Sequence, residues 1–183
     1  YMFIAPIPVR FNQTIAARFF PTNDGGGEAD VEAIREATHD LSGHIVLCGF
    51  GRVGSQLGSL LEEENIQYAA VDRFPTIVKQ AWDEGKPVFY GHSENQHVLS
   101  ALGLARARAM VISFNNEALA IQTLHIARTI APDLPVLVRS SDQTNLERLR
   151  QAGAAEVVPE TFETSLMLTV NLLLSLGYPA ERV

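Results

Sequence analysis

Short apolar runs recur along the chain from position 43 onward and alternate with stretches of helical periodicity. The apolar runs occupy residues 44–48, 68–71, 87–90, 109–113, 135–138 and 156–158. The intervening patterns predict helices over residues 53–63, 76–84, 96–102, 117–130 and 145–151. Because the apolar runs lack polar alternation, we expect strands that are buried on both faces of a parallel sheet. The pattern therefore predicts an α/β fold, a doubly wound, Rossmann-type parallel sheet of six strands.

The amino-terminal residues differ in pattern from the rest of the chain. Residues 1–9 are almost wholly apolar, and Arg10 and Arg18 follow with no acidic residue between them. Two interpretations stay open: the last turn of a membrane helix with its positive cytoplasmic flank, or a hydrophobic arm that folds back onto the domain. Residues 21–27, with three successive glycines, predict a flexible linker. The acidic stretch 28–40 predicts a solvated linker helix.

The stretch after the sixth apolar run predicts a helix that is apolar around its whole circumference. Between Leu166 and Leu176, eight of eleven residues are apolar, and Leu166, Val170 and Leu173 recur at helical spacing. One face of such a helix can pack on its own sheet, whereas the other face needs a cover. We expect a second copy of the domain to provide that cover, so this C-terminal helix is predicted to hold a homodimer, mainly through these three residues.

The composition limits the classes of partner. The chain has 183 residues, a formal net charge of -7 and only two lysines, Lys79 and Lys86. A surface so poor in cations is unsuited to neutralising a run of phosphates, so nucleic acid is not expected as a partner. The single cysteine, Cys48, lies inside an apolar run, where a buried thiol in a reducing compartment is expected.

A glycine-rich turn follows the first predicted strand directly. Its residues fit the pattern G-x-G-x-x-G and are Gly49, Phe50, Gly51, Arg52, Val53 and Gly54. The first two glycines allow backbone amides to approach a pyrophosphate closely, and the third opens a helix whose positive end faces the anion. Asp72 stands 23 positions after Gly49, at the end of the second predicted strand, where its carboxylate can accept hydrogen bonds from both ribose hydroxyls. This arrangement predicts a nucleotide-binding site.

Further candidate side chains follow the other predicted strands, because ligands of open α/β sheets bind outside the carboxyl ends of the strands. Arg52 can point toward a phosphate or toward a neighbouring subunit, and Arg73 beside the ribose could tolerate a 2′-phosphate. Asn116 is both a candidate ligand residue and a candidate cap for the following helix. The remaining candidates are His92, Ser93, Asn115 and Arg139.

Five segments together carry a resemblance to a known family. They are the turn at 49–54, the strand end Val71-Asp72, the segment 89–93, the pair Val138-Arg139 and the segment 159–163 before the apolar helix. In these segments the chain resembles the RCK or KTN (TrkA-N) regulatory domains of potassium channels and transporters, in particular the cytoplasmic domain of Kef-type potassium/proton antiporters. The resemblance extends over about residues 43–177.

The resemblance implies a homodimeric domain that binds NAD(H), AMP or another adenine nucleotide and transmits its state to an ion pathway. It implies a transmembrane antiporter domain in the same polypeptide, with this chain on the cytoplasmic face of the bacterial inner membrane. Residues 1–42 would then be the end of a membrane helix and a cytosolic linker, 43–158 the nucleotide-binding domain, and 159–183 the dimerisation helix and tail. This favours the membrane-helix interpretation of residues 1–9.

The same resemblance suggests residue roles by position. Nucleotide would be held by Gly49, Gly51, Gly54 and Asp72, with Arg52, Arg139 and Glu160 near the crevice or the dimer seam. The chain departs from the family after the third strand, where Gly91-His92-Ser93 stands in place of the usual Gly-Asp-Ala. The carboxylate that commonly meets the nucleoside is therefore missing from that position.

Two other functions use the same type of domain. A nicotinamide-dependent oxidoreductase needs a substrate domain and a proton donor, and no tyrosine has a lysine four positions later, since Tyr68 and Tyr90 are followed there by Asp72 and Glu94. An enzyme is therefore not expected. A free-standing regulatory subunit of a Trk or Ktr potassium uptake system would share the domain but lack the apolar start.

Overall fold

The computed structural model describes residues 30–141 and 146–177 of the chain. The strands are β1 (Ile45–Cys48), β2 (Tyr68–Asp72), β3 (Val88–Tyr90), β4 (Ala109–Ile112), β5 (Val136–Ser140) and β6 (Glu156–Pro159). The α-helices are α1 (Val31–Thr38), α2 (Arg52–Glu63), α3 (Pro75–Asp83), α4 (Gln96–Ala101), α5 (Glu117–Ile130), α6 (Leu146–Gln151) and α7 (Glu160–Ser175). Residues 1–9 and 21–27, for which a membrane helix and a linker are predicted, lie outside the described residues.

The six strands form one parallel sheet in the order β3-β2-β1-β4-β5-β6. The chain moves outward from β1 to β3, returns to the centre, and moves outward again from β4 to β6. This is the doubly wound arrangement of the Rossmann fold, and it confirms the predicted fold class. The order reverses between β1 and β4, so a crevice opens there at the carboxyl ends of the strands.

Two apolar clusters cover the two faces of the sheet. On β1, Val46 and Cys48 contribute to one cluster and Leu47 to the other, because successive side chains of a strand point to opposite faces. All five residues of β2 are buried. A strand covered on both faces needs apolar residues at every position, which explains the uninterrupted runs in the sequence.

The helix α1 is part of the packed domain, so the expectation of a solvated linker helix over 28–40 was wrong. Ala33 and Ile34 are buried in the larger apolar cluster. The buried hydroxyl of Thr38 donates a hydrogen bond to the carbonyl oxygen of Ala101, at the end of α4, with a distance of 2.5 Å between the two oxygens. Asp30 caps the helix by accepting a hydrogen bond from the Ala33 N–H. The acidic residues occupy only the outer face, while a narrow apolar stripe is sufficient to attach the helix.

The helix α7 begins directly after β6 and leaves its apolar side chains largely uncovered. The exposed large side chains are Leu166, Met167, Leu168, Leu172, Leu174 and Leu176. Val170 and Leu173 are half-buried. One face of α7 is therefore covered only in part within a single copy, and of the residues predicted at helical spacing Leu166 is exposed. None of the described helices has both the length and the apolar character that a bilayer span requires.

Candidate nucleotide-binding site

Two adjoining cavities lie at the carboxyl ends of the strands, where the strand order reverses. Their volumes are about 210 Å³ and about 450 Å³, and both are lined by Gly49, Asp72, Phe74 and Phe114. The smaller cavity extends toward β3 and the larger one toward α2, β5 and α7. We call the smaller one, lined by carboxylates and aromatic rings, the nucleoside cavity, and the larger one, lined by the start of α2 and two arginines, the phosphate cavity.

The glycine-rich turn between β1 and α2 is held in a single conformation by close contacts. Gly49 has a φ of +93°, in the region that favours glycine. Its N–H donates to the carbonyl oxygen of Val71 at 2.8 Å, and its carbonyl oxygen accepts from Ser113 Oγ at 2.9 Å. A Cβ added at Gly54 would lie 2.1 Å from the Gly49 carbonyl oxygen, whereas one added at Gly51 would have no heavy atom within 4 Å. Gly54 therefore serves the fold, and Gly51 leaves space for a ligand.

This contrast predicts different effects for two alanine substitutions. Gly54→Ala is expected to lower the free energy of unfolding by about 1 to 3 kcal/mol or more, because the new methyl overlaps backbone atoms of the turn. Gly51→Ala is expected to lower it by less than about 1 kcal/mol, since its φ of -67° suits alanine and only the preference for glycine at an N-cap is lost. Chemical denaturation of both variants measures the difference, and equal losses would contradict this assignment.

The carboxylate of Asp72 connects the end of β2 to two loops. Its Oδ2 accepts a hydrogen bond from the backbone N–H of Phe50 at 2.6 Å, and its Oδ1 accepts from the N–H of Phe74 at 2.8 Å. The residue is buried. Each carboxylate oxygen has a second lone pair that can accept from a ribose hydroxyl. Asp72 thus shapes the cleft in addition to the role predicted for it toward the ribose.

Phe50 lies in the turn, but its side chain is buried in the core. Its ring stacks on that of Tyr68 with centroids 6.1 Å apart, and a Cβ added at Gly58 would lie 2.9 Å from its Cε2 atom. Burial and the hydrogen bond from its hydroxyl to Glu62 raise the pKa of Tyr68. Phe50 therefore anchors the turn to the sheet, and it lines neither the nucleoside cavity nor the phosphate cavity.

The phosphate cavity contains the two arginines predicted at the crevice. Arg52 is exposed at the first position of α2, and Val53 follows it in the cavity wall. Arg139, on β5, is largely buried, and its Nη2 lies 2.8 Å from Oε1 of Glu160. The helix α2 presents its amino-terminal N–H groups at the same cavity, so backbone and guanidinium donors are available to an anion there, beside the carboxylates of Asp72 and Glu160.

The nucleoside cavity contains most of the other predicted residues. Ser93 is buried and exchanges a hydrogen bond of 3.0 Å with Thr123 Oγ1. Asn116 caps α5 by accepting from the Leu119 N–H, as its alternative interpretation predicted. The predicted residues that line this cavity are Asp72, Arg73, Ser93, Asn115 and Asn116. His92 lines neither cavity, and its Nδ1 lies 3.3 Å from Oε1 of Glu94.

Several cleft residues were missed by sequence reasoning. Phe74 and Phe114 line both cavities, and Glu94 lines the nucleoside cavity. Burial raises the pKa of the Cys48 thiol below the cleft, and the negative charge of Glu94 raises it further. Glu94 thus brings a carboxylate to the loop after β3, two positions beyond His92. The signal that could have identified these residues is their position within a few residues of a strand's carboxyl end.

Comparison with known proteins extends this description. The TrkA-N domain family matches residues 45–160. The chain is 46% identical over 145 residues to the putative K(+) efflux antiporter KefB of Alkalimonas amylolytica, covering 79% of this chain and 22% of that protein. The chain thus spans less than a quarter of the length of this relative.

Solved structures show the same fold. The TrkA-N domain of the inner membrane protein ybaL from Escherichia coli matches with a TM-score of 0.66 at 25% identity, over 71% of this chain and 96% of that one. The GsuK channel bound to NAD matches with a TM-score of 0.60 at 28% identity, over 66% of this chain and 22% of that one. From the family match, the strand order and the turn at 49–54, this chain belongs to the TrkA-N domain family.

Proposed function

We propose that this chain is the nucleotide-binding regulatory domain of a Kef-type potassium/proton antiporter, and that it controls ion transport in response to NAD(H), AMP or another adenine nucleotide. The observation that carries the proposal is the pair of adjoining cavities at the point where the strand order reverses. One cavity offers a carboxylate and aromatic rings, as a nucleoside requires. The other offers helix N–H groups and arginines, as phosphates require.

The proposed residue roles follow from the two cavities. Asp72 accepts from the ribose, while Phe74 and Phe114 cover the apolar surface of the base. The backbone of Gly49, Gly51 and Gly54 and the side chains of Arg52 and Arg139 hold the phosphates, with Val53 completing the wall. Arg73, Ser93, Asn115 and Asn116 border the nucleoside. His92 acts from outside the cavity through Glu94, and Phe50 acts by anchoring the turn.

The transport assignment is supported by the likeness to the KefB antiporter and to the NAD-bound GsuK channel. In this proposal a transmembrane antiporter domain belongs to the same polypeptide, and the residues before α1 connect it to the nucleotide-binding domain at the cytoplasmic face of the bacterial inner membrane. Residues 159–183 form the dimerisation helix and tail. The uncovered apolar side chains of α7 support that role.

A transport assay tests the regulatory function. The full-length polypeptide would be reconstituted in liposomes, and potassium-driven proton movement would be followed with and without NADH or AMP on the cytoplasmic side. We expect the rate to change by several-fold with nucleotide, because coupling free energies between sites are typically about 1 to 3 kcal/mol. The Gly51→Ala protein should keep its rate without nucleotide and lose the response. Equal rates under all conditions in the wild-type protein would contradict a regulatory role.

A further inference from the structure

Glu160 and Arg139 form an ion pair across the wall of the phosphate cavity. Glu160 is the first residue of α7, and its Oε1 lies 2.8 Å from Arg139 Nη2 on β5. Its second carboxylate oxygen accepts from Asn115 Nδ2 at 3.5 Å. Both charged residues line the same cavity as Gly51 and Arg52 of the glycine-rich turn. A carboxylate of the protein itself, that of Glu160, thus faces the space in which the proposed function places a phosphate.

Arg139 has more donors than this pair uses. Its side chain is only 15% exposed, and its buried Nε has no hydrogen-bond partner among the described residues. A guanidinium carries five N–H donors in a planar fork that matches the oxygens of a phosphate. Because Nε is itself buried, a ligand in the cavity would approach Arg139 through its terminal Nη groups, one of which contacts Glu160.

We propose that the Glu160 carboxylate competes with a nucleotide phosphate for Arg139, and that Glu160 thereby sets the affinity of the cleft for phosphate. This inference rests on the proposed nucleotide-binding function. Two anions at one guanidinium repel each other, so a phosphate that approaches Arg139 must displace Glu160 or bind against its charge. Because Glu160 is the first residue of α7, displacement of its carboxylate breaks the ion pair that ties the amino-terminal end of that helix to β5. The competition therefore links occupancy of the cleft to the apolar helix.

The test uses calorimetry on the 183-residue chain and its variants to compare the binding of AMP with that of adenosine, which lacks the phosphate. Glu160→Gln removes the competing charge and keeps the shape of the side chain, so the AMP affinity should increase about tenfold. Adenosine affinity should stay unchanged. Arg139→Gln should lower the AMP affinity at least about tenfold and leave adenosine binding unchanged. A gain in AMP affinity from Glu160→Gln that is equally large in the Arg139→Gln background would show that direct repulsion, and not competition for Arg139, sets the affinity, and would overturn the inference.

A matched control removes the same charge elsewhere. Glu156 is exposed at the opposite end of β6 from Glu160, and Glu156→Gln should leave the AMP affinity unchanged. An AMP affinity that is unchanged or lowered in Glu160→Gln would overturn the inference, as would an equal change for AMP and adenosine. If the wild-type chain binds neither ligand, the proposed function itself fails. If the wild-type chain binds AMP and Glu160→Gln leaves that affinity unchanged, only the inference about Glu160 fails.

Discussion

Asp72→Ala is expected to destabilise the fold and to remove most of the nucleotide affinity. The carboxylate accepts hydrogen bonds from the N–H groups of Phe50 and Phe74. Hydrogen bonds to a charged group contribute about 1.5 to 3 kcal/mol each to stability. In Asp72→Ala the two backbone N–H groups can donate to water instead, which reduces the loss. We expect the free energy of unfolding to fall by about 2 to 4 kcal/mol. Because the turn also loses one of its two hydrogen bonds to β2, the Kd for NADH or AMP should rise at least about tenfold.

Two further variants identify the cause. Asp72→Asn keeps one acceptor oxygen but turns an amide N–H toward the second backbone donor, so we expect a loss of stability between those of wild type and Asp72→Ala. Asp133→Ala removes an exposed carboxylate from the loop before β5 and should change neither the free energy of unfolding nor the nucleotide affinity. Urea denaturation measures stability, and calorimetry measures affinity. An Asp72→Ala protein with wild-type stability would show that the carboxylate does not hold the turn, and wild-type affinity would remove Asp72 from the site.

The second large effect is expected at α7, whose exposed leucines should hold a homodimer. Leu168 is 67% exposed and Leu172 is 58% exposed, and they lie on one face of the helix because they are four residues apart. Burying a leucine side chain contributes about 1.5 to 3 kcal/mol. Leu168→Asp with Leu172→Asp would place charges in the apolar seam instead, so the dissociation constant of the dimer should rise at least about 100-fold.

Sedimentation at micromolar concentration measures this change. The wild-type chain should sediment as a dimer and the double variant as a folded monomer, because the two leucines are already exposed within one copy. Leu60→Asp is the matched control, since it replaces an exposed leucine on α2 and should leave the dimer intact. Asp72→Ala should also stay dimeric. A monomeric wild-type chain with α7 folded would contradict the dimer and weaken the link between nucleotide and ion pathway.

Most of the sheet is predictable from the sequence, because strands covered on both faces appear as continuous apolar runs. The strand β2 is the clearest case. The strand β5 continues past its apolar run to Ser140, since parallel pairing with β6 supplies hydrogen bonds that do not depend on side-chain polarity. The packing of α1 is not predictable in the same way. Its acidic residues dominate the pattern, while Ala33 and Ile34 form the narrow stripe that is buried.

The cleft was located from the sequence more readily than its internal contacts. Glycine spacing predicts a phosphate-binding turn, and Asp72 follows from its place at the end of β2. No spacing indicates that the same carboxylate accepts from a backbone N–H that lies 22 residues earlier in the chain. The position of Glu94 depends on the path of the loop after β3, and the Arg139–Glu160 pair depends on the register between β5 and β6, neither of which periodicity specifies. Such side-chain contacts across the sheet edge required the three-dimensional structure.

Calorimetry of the wild-type chain with NADH and with AMP, beside Gly51→Ala, measures whether the glycine-rich turn holds a phosphate. The wild-type chain should bind at least one of these nucleotides saturably. The Kd should be at least about tenfold higher in Gly51→Ala, because the added methyl occupies space that only a ligand would otherwise fill. Denaturation should show both proteins folded. A folded wild-type chain that binds no adenine nucleotide, or a Gly51→Ala variant that binds as tightly as wild type, would contradict a phosphate site at the glycine-rich turn.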